Sequence, residues 1–123
     1  MKNKEPQSSE TLVNQIIEAI KSKKGKELVS IGLKDVGTTV CDYFVLCNGD
    51  SKTQVNAIAD GIEEAVKKNL GQNAHHKEGA TYANWVLLDY TDVVVHIFQK
   101  EYREFYQLET LWADGVFKHF EED

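Results

Sequence analysis

Asn84-Trp85-Val86-Leu87-Leu88-Asp89-Tyr90-Thr91-Asp92-Val93-Val94-Val95-His96-Ile97-Phe98 is a pair of apolar runs broken by a short polar turn, and its reading decides the fold. Both runs are rich in β-branched, aliphatic and aromatic residues, the composition of strands. With only Tyr90 and Thr91 between residues 84–89 and 92–98, the two read as a tight antiparallel hairpin. That register sets Asp89 opposite Asp92, Leu87 opposite Val94 and Trp85 opposite His96. Side chains alternate along a strand, so one face carries Val86, Leu88, Val93, Val95 and Ile97. That face is wholly apolar and must be core.

The opposite face carries Trp85, Leu87, Asp89, Asp92, Val94, His96 and Phe98. Two carboxylates, an imidazole and an indole do not compose an interior. A solvated sheet face, in turn, would be mostly polar. Aromatic and aliphatic anchors ringed by charge are the composition of a protein-binding patch. The competing reading has the final helix covering this face, with Trp85 and His96 as ordinary core residues.

Outward from the hairpin, the pattern predicts a mixed α/β chain. Leu12, Val13, Ile16, Ile17 and Ile20 follow helical spacing behind an N-cap at Ser8 or Ser9, and that helix should stop near Gly25. Residues 27–34 and 41–47 read as two strands, the second of them central. Ser51-Lys52-Thr53-Gln54 is a capping-box pattern opening a helix with the stripe Val55, Ile58, Ala59, Ile62, Val66 and Leu70, and Gly71 is its stop. Residues 74–77 form a short strand, and residues 102–120 are helical at least in part. The order α-β-β-α-β-β-β-α implies a mixed five-stranded sheet packed with helices. Residues 1–8 read as a flexible tail, and residues 9–123 as a single domain.

Composition narrows the function. The chain has 123 residues, 41% of them hydrophobic, and no run of about 18 apolar residues that would span a membrane. The start, Met1 to Glu10, lacks a signal peptide's apolar segment, so the expected compartment is the cytoplasm. Cys41 and Cys47, placed on one strand, lie about 20 Å apart, beyond the roughly 7 Å a disulfide spans; both read as buried thiols. Residues 1–34 hold seven Lys and four Glu, a balance of +3, whereas residues 35–123 hold seven basic and sixteen acidic residues, a balance of −9. An acidic domain repels phosphate backbones and attracts a basic protein. Alternatively, the charge serves only solubility.

Catalytic patterns are poorly met. His75 and His76 would point to opposite sides of a strand and cannot grip one metal there. Cys47-Asn48-Gly49-Asp50-Ser51 runs from strand to helix N-terminus, yet it has neither G-x-G-x-x-G nor the phosphate-loop Lys-Ser/Thr, and Asp50 repels anions. Two-metal nucleotide transfer needs paired carboxylates on a strand near such a loop. The alternative function is therefore a nucleotidyltransferase-like enzyme using the turn at Gly49, Asp50 and Ser51 with Asp89 or Asp92.

The ordered motifs resemble those of the ribosomal silencing factor (Iojap) family. Cys41-Asp42-Tyr43-Phe44-Val45-Leu46-Cys47-Asn48-Gly49-Asp50-Ser51 is similar to its strand-turn motif, followed by Gln54 and Ile58-Ala59-Asp60. Glu78-Gly79, the two hairpin strands, Arg103, Phe105-Tyr106, Leu108-Glu109 and Leu111-Trp112 complete the pattern. Two positions depart from it: Thr91, where the family commonly has Gly, and Asp50, where it has a small or amide residue. The resemblance implies a fold like that of nucleotidyltransferases without their active site. It also implies binding to a basic protein of the large ribosomal subunit, the fourteenth in that subunit's naming, at the subunit interface. Sitting there blocks subunit joining and lowers translation when nutrients are scarce. Arg103 and Tyr106 join the hairpin-face residues as the implied partner-binding set. Neither nucleotide nor metal is implied, nor direct nucleic-acid recognition, and the exposed apolar face admits a homodimer of the free protein.

Overall fold

The computed structural model describes residues 8–34, 36 and 41–121; the expected tail, but for Ser8, lies outside them. In chain order the elements are α1 (Ser9–Ser22), β1 (Lys26–Gly32), β2 (Tyr43–Gly49), α2 (Lys52–Leu70), β3 (His76–Glu78), β4 (Trp85–Asp89), β5 (Val93–Gln99), α3 (Lys100–Tyr106), α4 (Leu108–Leu111) and β6 (Val116–His119). The strands form one mixed sheet in the order β3-β4-β5-β2-β1-β6. Only β2 and β5, at its centre, run parallel.

The expected sheet of five strands is thus a sheet of six. β6 pairs antiparallel with β1, Ile31 opposite Phe117. It lies inside the stretch expected to be helical, and its four residues bury too little to show the alternation of a strand.

Both long helices are capped by the residues their sequence offers. Ser8 Oγ accepts from the Thr11 N–H at 3.1 Å, and Ser51 Oγ accepts from the Gln54 N–H at 3.1 Å. The Gln54 side chain reaches back to the Asp50 N–H (2.7 Å), one residue earlier than the standard box. Gly71 ends α2 at φ 68°, a left-handed conformation in which glycine has no Cβ penalty.

Two cores flank the sheet. On one face α1 and α2 pack Leu12, Ile16, Ile20, Val55, Ile58 and Ile62 against Val45, Val86, Leu88, Val93, Val95 and Ile97. All five hairpin residues assigned to the interior are buried there. On the other face Leu108 packs with Ile31, Phe44, Leu46, Val94 and Phe98, and Tyr102 and Trp112 close over them. Cys41 and Cys47 are buried free thiols, and burial pushes them up to about 11 and about 12, so neither is a nucleophile at neutral pH. Among the described residues no helix is long and apolar enough to cross a membrane.

Candidate functional site

The hairpin is tight, as its sequence requires, but its turn sits one residue later than expected. Tyr90 N–H donates to the Val93 carbonyl (2.9 Å), so Thr91 and Asp92 make the turn. Asp89 consequently pairs with Val94, Leu87 with His96 and Trp85 with Phe98. Thr91 takes φ 75°, and Asp89 Oδ1 accepts from its N–H at 2.7 Å. That bond offsets part of the cost of a β-branched residue at positive φ. Each partner slips by two residues, which preserves the faces.

β3 extends the mixed face. Its register sets Glu78 beside Leu87 and His76 beside Asp89, with His76 Nε2 2.6 Å from Glu78 Oε2. Trp85, Leu87 and Asp89 are half-buried here, and His76 and Glu78 are exposed. Tyr106 from the end of α3 packs at a tilt against Trp85, with ring centroids 4.9 Å apart and planes at 46°. Phe105 lies edge-on to Tyr106 and is 76% exposed. An apolar strip thus runs along β4 and the end of α3, with Glu78 and Asp89 at its border.

The expected interface divides at the boundary between β4 and β5. Val94 and Phe98 belong to the second core, His96 is buried beside them against Phe44 and Phe98, and Phe98 has no exposed surface. These three therefore present almost nothing to a partner, whereas Trp85 and Leu87 on β4 pack at the edge of the same cluster and stay half-buried. Asp92 is exposed, and its carbonyl holds the Asp42 N–H at 2.8 Å. It does not face Asp89 across the hairpin.

Arg103 is likewise an internal residue, 8% exposed. Its Nε and Nη2 donate to the two carboxylate oxygens of Glu109 (3.3 and 2.9 Å). Its Nη1 donates to Asn48 Oδ1 (2.7 Å) and to the Glu27 carbonyl (2.6 Å). That carbonyl is available because β1 bulges between Lys26 and Val29, with Glu27 at φ 50°. The guanidinium therefore latches α3 and α4 to β1 and β2, and so fixes Tyr106 beside Trp85. The sequence offered no sign of this, since Asn48 lies 55 residues away.

Gly79, at φ 89°, makes the turn before β4, and a Cβ there would collide with the Trp85 carbonyl oxygen. Gly79→Ala is expected to cost about 1–3 kcal/mol of stability in denaturant unfolding, the range for enforced backbone strain.

Among the described residues His96 is the one buried histidine. Trp85 Nε1–H donates to its Nδ1 at 3.0 Å, and Nε2 is buried without a hydrogen-bond partner. Desolvation lowers its pKa from 6.5 to about 4. The unfolded chain therefore takes up a proton as pH falls below 6.5, while the folded chain resists until about 4. His96 thus favours the fold above pH 6.5, and that contribution is lost progressively toward pH 4. Between pH 6.5 and pH 5 the loss is expected to be about 2 kcal/mol. It should be visible as a fall in melting temperature that His96→Phe abolishes.

The residues of the enzyme reading do not meet. β2 runs parallel to β5 with Tyr43 beside Val93 and Gly49 beside Gln99. Asp89 and Asp92 thus lie at one end of the sheet, and the Gly49–Asp50–Ser51 turn lies about 20 Å away at the other. Among the described residues no three His, Cys, Asp or Glu side chains are grouped to hold a metal.

A family model described as "Ribosomal silencing factor during starvation" matches residues 6–123. The ribosomal silencing factor RsfS of Halalkalibacterium halodurans is 37% identical over 108 residues, spanning 88% of this chain and 91% of that protein. The protein of the same name from Bacillus subtilis is 40% identical over 97 residues, 79% of this chain and 80% of its own. A crystal structure of a Chromobacterium violaceum protein superposes with a TM-score of 0.82 at 30% identity, covering 87% of this chain and 88% of that one.

Proposed function

This chain belongs to the ribosomal silencing factor family, and from that premise we propose that it binds the large ribosomal subunit through a basic protein at the subunit interface. The resemblance points to the fourteenth protein of that subunit. Bound there, the domain blocks the small subunit by bulk alone and so represses translation under nutrient limitation. The reading needs no catalysis, nucleotide or metal, and its place is the cytoplasm.

One observation carries it: the open strip of Trp85, Leu87, Phe105 and Tyr106 bordered by Glu78 and Asp89. Half-buried and exposed aromatics anchor an interface by burying large area at low entropy cost. The bordering carboxylates draw a basic partner and set its orientation. Purified protein is expected to travel with free large subunits in a sucrose gradient. The association should weaken with salt, because the Debye length shrinks from about 30 Å at 0.01 M to about 8 Å at 0.15 M. Failure to co-sediment at saturating protein would overturn the reading. The 76% exposure of Phe105 also suits a homodimer of the free protein through the same strip, which sedimentation velocity over a concentration series reads out.

A further inference from the structure

The contact between Trp85 and His96 is a diagonal one. Trp85 lies directly opposite Phe98, and His96 is opposite Leu87, two residues along. The indole spans that diagonal, stacking on Phe98 with centroids 5.0 Å apart and setting Nε1 3.0 Å from His96 Nδ1. An indole nitrogen can only donate, so Nδ1 must accept, and the neutral ring carries its proton on Nε2. Phe44 packs edge-on to the imidazole at 4.9 Å, and its other contacts are Trp85 and Phe98.

That arrangement has a price in the free protein. The Nε2–H donor is buried with no partner, in a ring that is only 4% exposed. A phenylalanine would fill the same space without the buried Nε2–H. What phenylalanine could not supply is an acceptor aimed at the indole. The imidazole's distinctive contribution is therefore to the side chain beside it, at the border between the buried core and the open strip.

We propose that His96 is the positioning residue of the docking surface: its Nδ1 fixes the Trp85 indole in one orientation before a partner arrives. The proposal rests on the function given above and deepens it. His96 touches no partner; it acts through Trp85. Tyr106 holds the indole from the α3 side and Phe98 from beneath, but both do so by ring contact, which an indole flipped about Cβ–Cγ could also make. The hydrogen bond excludes that alternative. A preset indole spares the partner the entropy of ordering it, so the gain appears mainly as slower dissociation.

His96→Phe and His96→Asn test this, the second because Asn Oδ1 can take the place of Nδ1. In His96→Phe the assigned Trp85 indole N–H resonance should shift and exchange faster with solvent. Affinity for large subunits should fall about tenfold, as expected for one side chain left unordered, while the melting temperature at pH 7 is unchanged or raised. His96→Asn should restore the indole resonance and recover affinity in part. A His96→Phe protein that binds like wild type overturns the proposal, and so does weaker binding with an unmoved indole resonance. If wild-type protein does not bind large subunits at all, the docking reading itself fails. The indole resonance would still report whether His96 orients Trp85, so the two failures are separable.

Discussion

Arg103→Leu is expected to destabilise the fold by about 3 kcal/mol: a buried guanidinium that donates four hydrogen bonds is lost, while the partly exposed Glu109 left behind is still reached by water. The change removes the ion pair with Glu109 and the Arg103 hydrogen bonds to Asn48 Oδ1 and the Glu27 carbonyl. Arg103→Lys should recover only part of the loss, since an ammonium cannot serve four acceptors with a fixed planar fork. Denaturant unfolding at neutral pH measures both variants. Because the latch holds α3, variants that remain folded should also bind large subunits less well. An Arg103→Leu protein as stable as wild type would show that the guanidinium is not holding α3 and α4 to the sheet.

Trp85→Ala is expected to weaken binding to large subunits by about 2 kcal/mol or more, roughly thirtyfold, as for a central aromatic anchor. The indole is half-buried, so the folding cost should be below the about 3–5 kcal/mol of a fully buried aromatic. It will not be zero, because the substitution removes the ring contacts with Phe98 and Tyr106 and orphans His96 Nδ1. Melting and binding must therefore be read on the same protein. Phe105→Ala is the companion: its side chain is 76% exposed, so its effect should fall on binding with little on stability. A Trp85→Ala protein that melts near wild type and binds normally would remove the interface from this strip.

Much of the fold could be read from alternation alone. The apolar face of the hairpin was legible because parity survives a two-residue slip, and all five of its residues lie in the core beneath α1 and α2. The register itself was not legible. It depends on Thr91 taking a positive φ with help from the Asp89 carboxylate, a local bond that no periodicity encodes. Helix ends were readable at Ser8, Ser51 and Gly71 because capping chemistry is local. β6 was not, being short, poorly alternating and stabilised by pairing with β1 across the whole chain.

The site was half legible. Aromatic anchors with charge nearby singled out Trp85, Leu87 and Asp89, which stay partly exposed, but sequence could not say that the β5 residues of the same face would be buried. Val94, His96 and Phe98 share a face with Trp85, yet on β5 they are buried while Trp85 on β4 is half-exposed at the edge of the same cluster. Arg103 entered the expected set only through the family resemblance, and its burial followed from partners distant in the chain. Glu78 and His76 came to the strip only through the pairing of β3 with β4.

If occupancy of the large subunit prevents joining, light scattering of purified subunits mixed at permissive magnesium will register it. Wild-type protein pre-incubated with large subunits should lower the extent of association in a dose-dependent way, with Trp85→Ala requiring about thirtyfold more protein. Association that stays unchanged at saturating wild-type protein, with an established joining inhibitor active in the same assay, would contradict the account.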